Sequence, residues 1–337
     1  MKTNDARPLV VVTMGDPAGV GPEICAGCMT DSDILKQVRP VVIGDRGILQ
    51  RALDLQGSKF QIHPVRSPEE GGYQFGSIDL METDHGVTEE IVLGSPSVPA
   101  AKMAYSFILK AIELGKQGST DVITTCPINK EFFVRAGFGE KDHTALFRKH
   151  FGGAPTVSMF HCRELRVFHY TRHMSLKNAI AALDVDKLVE CMKGIHTTLR
   201  GIGIASPRIA VAALNPHASD HGLFGDEEEK FLIPAIRKCV EMGIRAEGPV
   251  PSDSVFYLEK RGVYDGVLSL FHDQGHIACK TYDFEKSVSL TFGFPFMRST
   301  VDHGTAYDIA GKNTASYENL KEAILMGAKY WKMQQPE

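Results

Sequence analysis

The sequence predicts an α/β protein of two domains built around mostly parallel sheets. Three observations carry this. A chain of 337 residues exceeds what one ordinary hydrophobic core organises. Apolar runs rich in Val and Ile alternate with helical patterns from end to end. Several of these runs stop abruptly at polar residues, as strands do when their carboxyl ends line a ligand site.

The elements follow in order. Leu9 to Met14 is a continuous β-rich run, read as a fully buried strand. Gly15-Asp16-Pro17-Ala18-Gly19-Val20-Gly21-Pro22-Glu23 comes next, with Pro22 suited to a first helical turn. This segment is either an anion cradle at a helix start or a glycine turn that fixes strand–helix packing, and both readings stay open. It matches neither the dinucleotide fingerprint nor a Walker loop. Strand 41–44 and helix 46–55 come next, then a less periodic stretch over 56–97 read as short strands and loops. Helix 98–116 ends near Gly118, and strand 121–125 breaks at Cys126-Pro127-Ile128-Asn129-Lys130, where Lys130 meets an anion or simply starts a solvated helix.

Asp142 reads as the N-cap of a helix that begins with His143 and Thr144. Strands 157–160 and 165–170 form a pair turning near Cys162-Arg163, and the second ends in Thr171-Arg172-His173. Helices 175–182 and 185–199 precede strand 209–213, which ends in Leu214-Asn215-Pro216-His217. Helix 227–242 leads to a rigid turn, 249–254, carrying Asp253. Strand 266–270 then breaks into His272-Asp273-Gln274-Gly275-His276, where Gly275 permits a tight turn or close backbone approach. As plain structure this is a capped helix start with Asp273 as N-cap. A helix over 316–333 closes the chain.

A hydrophobic content of 43% and a charged content of 23% are those of a soluble globular protein. The net charge of −4 argues against nucleic-acid and anionic-membrane partners. No apolar run approaches a membrane span, and residues 1–8 lack the apolar core of a signal peptide. Seven scattered cysteines fit a reducing cytoplasm, so a cytoplasmic location is expected. Cys25 and Cys28 read as the buried face of a helix.

His173, His217 and His272 each follow a strand and lie far apart in the sequence. No local metal motif has that spacing, but it suits ligands gathered from separate strands. Neutral imidazoles favour Zn, Co or Ni over Mg, and three protein ligands leave a position open for substrate. Lys280, Asp253 and Asp273 are the candidate proton carriers, and geometry decides among them. The His143–Thr144 helix start offers side chains and free N–H groups to an anion.

The tail segment is more specific. His303-Gly304-Thr305-Ala306-Tyr307-Asp308-Ile309-Ala310-Gly311-Lys312 resembles the adenosine-binding loop of the β-decarboxylating dehydrogenases. On that likeness His303, Gly304, Thr305 and Asp308 are expected to bind the cofactor. As plain structure it is a turn and short helix closed by Gly311.

The whole chain then resembles the 4-hydroxythreonine-4-phosphate dehydrogenase family. The likeness rests on Thr13 to Glu23, Pro127 to Lys130, His143-Thr144, Thr171 to His173, Asn215 to Ala218, His272 to Gly275 and Asp302 to Ala306. It implies a two-domain isocitrate/isopropylmalate dehydrogenase-like fold with a cleft between domains. The first domain is expected over 1–138 plus 290–337 and carries the nucleotide loop. The second, over 139–289, is expected to carry metal and substrate ligands and a homodimer interface. It implies a divalent metal (Zn, Co, Mg or Mn) on His173, His217 and His272, and substrate contacts from His143, Thr144, Lys280, Ser289 and Arg298. The implied activity is oxidation and decarboxylation of a 4-phosphorylated four-carbon hydroxy acid with NAD, or with NADP. Lys312 is the single cation that loop 307–312 offers to a 2′-phosphate.

Two departures stand out. Ala145 follows His143-Thr144 where the family often has Glu, and Ser289 stands where members usually have Asn. His276 and the segment 222–228 are similar to the branch acting on 4-phosphorylated threonate or erythronate. A metal-dependent phosphatase using the same histidines, and a non-catalytic binder of anionic metabolites, are the competing classes.

Overall fold

A computed structural model describes residues 5–140, 142–153 and 155–335. Residues 1–4, Lys141, Ala154 and 336–337 lie outside the described residues. Among those described, the strands are β1 (Leu9–Thr13), β2 (Arg39–Gly44), β3 (Gln61–Pro64), β4 (Ser77–Glu82), β5 (Val122–Thr125), β6 (Val157–Cys162), β7 (Leu165–His169), β8 (Arg208–Ala212), β9 (Arg245–Val250), β10 (Gly266–Ser269), β11 (Ser287–Phe292) and β12 (Met297–Val301). Helices separate most of them, so the protein is α/β.

The chain divides into two compact units, 1–156 with 293–332 and 157–292 with 333–337. In the first, the strand order is β3-β4-β2-β1-β5-β12, and every pairing is parallel. All five residues of β1 are buried, because a central parallel strand is covered on both faces. Helix Val98–Gln117 packs beside this sheet. Ser97 caps its start by accepting from Ala100 N, and Gly118 ends it at φ 68°, a left-handed position that glycine adopts without strain.

In the second unit the order is β11-β6-β7-β10-β8-β9. β11, β6 and β7 pair antiparallel, and β7, β10, β8 and β9 pair parallel. The β6–β7 hairpin turns through Arg163 at φ 53°, where the sequence places its turn.

The compact units group 139–156 with the first and 290–292 and 333–335 with the second. Phe147 and Phe151 of helix His143–His150 and its C-cap meet Phe294 and Phe296 at ring distances of 5.2–5.9 Å, and this aromatic group decides where the helix sits. The helix expected over 227–242 begins as a π-helical turn, Glu228–Leu232, before the regular helix Ile233–Glu241. Ile233 N reaches back to Glu228 O, and Pro234 has no N–H with which to resume the normal ladder.

Six of the seven thiols are buried and Cys191 is half-buried. Burial holds Cys28 and Cys126 well above the ordinary thiol range, with a hydrogen bond from Cys25 the larger cause at Cys126. Among the described residues no helix is long and apolar enough to cross a membrane.

Candidate functional site

In the second unit, four imidazoles gather at the carboxyl ends of β7 and β10. His169 ends β7, His173 lies four residues on, and His272 and His276 occupy one face of helix His272–Tyr282. The rings of His173 and His272 are 5.7 Å apart. His276 stacks on His272 at 3.8 Å and 8°, with Phe160 on it at 4.2 Å. His276 Nδ1 lies 3.0 Å from His272 O and 3.1 Å from His169 Nε2. A carbonyl only accepts, so Nδ1 of His276 carries the proton and His169 Nε2 is an acceptor. Burial holds His169 well below the ordinary imidazole range and brings His276 down to about 4.

The helix starts at Phe271, not at an Asp273 N-cap. Asp273 Oδ1 instead lies 2.6 Å from His272 Nδ1. A carboxylate there holds the proton on Nδ1 and leaves Nε2 of His272 as the lone-pair nitrogen. Asp253 is exposed in the turn after β9. Lys280 lies two turns beyond His272 with Nζ 5.2 Å from the Phe284 ring centre. Ser289 of β11 stands opposite Phe160, the ring that covers His276.

His217 follows β8 on an unusual backbone. His217, Ala218, Ser219, Asp220 and His221 all lie at φ between 46° and 65°, although none is glycine. Each such residue costs about 1–2 kcal/mol locally, so tertiary contacts must hold the turn. The fully buried Glu228 accepts from Leu214 N at 2.9 Å, Asn215 N at 2.7 Å and Asn215 Nδ2 at 2.8 Å. The described residues of one chain contain no group of three or more imidazole, thiol or carboxylate side chains arranged to hold a metal ion. His173 and His272 come together; His217 does not join them within the chain.

Gln274 ties the strand ends to one another. Its Oε1 accepts from Leu270 N at 2.6 Å, and its Nε2 donates to Ala213 O and Ser252 Oγ at 2.7 and 2.8 Å. Gly275 lets the helix lie against β7, since a Cβ there would sit 2.5 Å from His169 Nε2 and 2.7 Å from Val167 Cγ1. Gly275→Ala is expected to destabilise the protein by about 1–3 kcal/mol through overpacking, read as a lowered urea midpoint at an unchanged slope.

The first unit carries a second group. Arg298 of β12 is 3% exposed. Its Nη1 donates to Thr144 Oγ1 at 3.0 Å, and its guanidinium lies 5.4 Å from the Phe147 ring centre. His143 is buried beside it, and its Nε2 has no hydrogen-bond partner among the described residues. Burial, then the charges of Arg298 and Lys130, hold His143 well below the ordinary imidazole range. It is therefore neutral, and its buried, unsatisfied nitrogen lies within the field of two cations, an arrangement receptive to an anion. Asp142 caps this helix through Ala145 N, as its sequence position predicts.

The loop after β12 lies against the Gly-rich stretch after β1. Val20 N donates to Thr305 O at 2.9 Å, and Tyr307 OH donates to Asp16 Oδ2 at 2.7 Å. Glu23 accepts from Gly311 N and Asn313 N. His303 Nδ1 is 2.9 Å from Gly304 O. Gly304 and Asp308 are exposed, and nothing lies within 4 Å of where a Gly304 Cβ would be.

Sequence reasoning missed Glu228 and the pairing of His169 with His276. No local pattern marks Glu228, whose partners lie on another element; the imidazoles at 169 and 276 were visible but not their contact.

Residues 36–327 match the family described as pyridoxal phosphate biosynthetic protein PdxA. A protein of Symbiobacterium thermophilum assigned as a D-threonate 4-phosphate dehydrogenase is 43% identical over 326 residues, covering 97% of each chain. The crystal structure of a 4-hydroxythreonine-4-phosphate dehydrogenase from Burkholderia phymatum superposes with a TM-score of 0.81 at 36% identity, over 97% of this chain and 99% of that one. The corresponding enzyme of Klebsiella pneumoniae gives 0.88 at 32% identity, over 98% and 99%.

Proposed function

This chain belongs to the PdxA family of pyridoxal phosphate biosynthetic proteins, and from that premise we propose that it is a dehydrogenase of 4-phosphorylated four-carbon hydroxy acids. It oxidises and decarboxylates D-threonate or D-erythronate 4-phosphate in preference to 4-hydroxythreonine 4-phosphate. The end-to-end likeness to a protein assigned to D-threonate 4-phosphate supports the substrate branch. The observation that carries a phosphorylated substrate is the buried Arg298–Thr144 pair beside a neutral His143 with an unsatisfied nitrogen.

In this reading Arg298, Thr144 and His143 hold the phosphate, and Lys280 and Ser289 contact the acid. Lys280 carries the proton to and from the reacting carbons, with the exposed Asp253 as the second carrier. Asp273, already engaged by His272, orients rather than transfers. NAD serves as hydride acceptor, with NADP the poorer substitute because loop 307–312 offers only Lys312 to a 2′-phosphate. The exposed Gly304 and Asp308, with open space over Gly304, fit a nucleotide whose ribose hydroxyls need an acceptor; His303 and Thr305 complete the loop.

His173, His217 and His272 are proposed as ligands of a divalent cation (Zn, Co, Mg or Mn). One chain does not complete that set, so the reading requires a homodimer in which a second copy supplies the missing imidazole. A bound cation supplies Lewis acidity to the substrate oxygens.

The test follows NADH absorbance with the three phosphorylated acids, with NAD or NADP, before and after a chelator. Threonate or erythronate 4-phosphate is expected to react at least tenfold faster than 4-hydroxythreonine 4-phosphate. Chelation is expected to abolish the signal and added metal to restore it. No NADH from any of the three with metal present overturns the proposal, and phosphate release without NADH identifies a hydrolase instead.

A further inference from the structure

The Gly-rich stretch 15–23 has the outline of an anion cradle at a helix start. The amides of Ala18, Gly19 and Val20 are nevertheless spent inside the protein. Ala18 N donates to Asp16 Oδ1 at 2.9 Å, Gly19 N to Asp16 O at 3.1 Å, and Val20 N to Thr305 O at 2.9 Å. A Cβ at Gly19 would sit 2.6 Å from Thr305 O, and one at Gly21 2.3 Å from Met14 O. All nine residues of helix Gly21–Met29 are buried. The glycines therefore make room for the protein's own backbone, and the helix start is covered by Thr305.

Two carboxylates remain to be explained. Asp16 and Glu23 are 1% and 4% exposed, and each reaches across to the loop after β12. Asp16 takes the Tyr307 hydroxyl at the middle of that loop. Glu23 takes the Gly311 and Asn313 amides at its end. Burial raises the pKa of both Asp16 and Tyr307, and at Tyr307 the Asp16 bond adds to it, so the phenol stays a donor. Tyr307 follows Ala306, which lies at φ 45°. On either side of the Tyr307 pin, Gly304 and Asp308 are exposed.

The geometry points to Asp16, Glu23 and Tyr307 as positioning residues that hold the 303–308 loop ready for the dinucleotide. This rests on the reading above that the loop binds NAD. A loop already fixed in its binding shape loses less conformational freedom when ligand arrives. Freeing its middle by removing the Tyr307 hydroxyl therefore weakens the dinucleotide and leaves the phosphorylated acid alone.

The experiment titrates NADH by fluorescence into the full-length protein and its variants, each checked for an unaltered melting profile. Tyr307→Phe is expected to raise the NADH Kd about tenfold, with the KM of the phosphorylated acid and kcat at saturating NAD within twofold of wild type. Glu23→Gln, which keeps one of two acceptor oxygens, is expected to act in the same direction and serves if Tyr307→Phe does not fold. Asp308→Ala separates the two levels of the argument. If it weakens NADH while neither positioning variant does, the pins alone are disproved. If none of the three moves NADH, the cofactor lies elsewhere and the assignment of the loop fails with them. A shift in acid KM equal to the shift in NADH Kd also overturns the positioning role.

Discussion

Replacing Arg298 with methionine is expected to lower kcat/KM for the phosphorylated acid about a thousandfold, roughly 4 kcal/mol of transition-state stabilisation. The guanidinium is almost wholly buried, so its field on a bound dianion is little screened by water. Thr144 and Phe147 fix its plane from two sides, so the fork is already aimed when substrate arrives. Methionine keeps much of the stem that packs on Phe147 and removes only the charge and the donors. Lysine keeps the charge and loses the fork, and is expected to recover about tenfold of the loss. A methionine variant with a normal melting profile and kcat/KM within tenfold of wild type would falsify the phosphate role.

Glu259→Gln is expected to raise stability by several kcal/mol at pH 8 and by little at pH 4.5. Glu259 is 2% exposed on helix Val255–Lys260. One oxygen accepts from Arg166 N at 2.8 Å, and the other has no partner among the described residues. Burial raises its pKa from 4.5 to about 8, with Asp265 adding a little and Arg166 opposing. Between those two values the folded chain holds a proton that the unfolded chain has released. Stability conferred by this site is therefore whole below pH 4.5 and falls as pH rises to 8, at up to about 1.4 kcal/mol per pH unit. Glutamine keeps the acceptor for Arg166 N and cannot ionise. Urea unfolding at several pH values reads the difference, and a pH-independent gap between variant and wild type would contradict it.

Much of the fold was legible because the central strands carry their signal locally. β1, β5 and β10 are buried throughout and built around short runs of Val, Ile and Leu, the composition that parallel strands covered on both faces favour. The cap at Asp142 behaves likewise, since it sits one residue before its helix. The close approach at Gly275 was readable because only a glycine permits it. What escaped the sequence depends on partners far along the chain. Nothing in His217 to His221 announces five left-handed residues, and Glu228, which holds the Leu214 and Asn215 amides just before them, lies on another element. The helix at 143–150 offers apolar residues suitable for either unit, and only the rings at 294 and 296 decide. Asp273 is a candidate proton carrier by residue type, and its contact with the neighbouring His272 Nδ1 is a side-chain geometry that sequence does not print.

The burial of the thiols has a consequence for ion selection. Thiolate is a softer and stronger ligand for zinc or cobalt than imidazole, so an accessible cysteine would compete for the ion that the histidines are proposed to bind. A thiol must lose its proton before it can compete. Even the half-buried Cys191 is pushed up to about 12, and Cys239 to about 11, by burial. With six of the seven sulfurs buried and Cys191 half-buried, the thiols are poorly placed to compete with the proposed imidazole ligands.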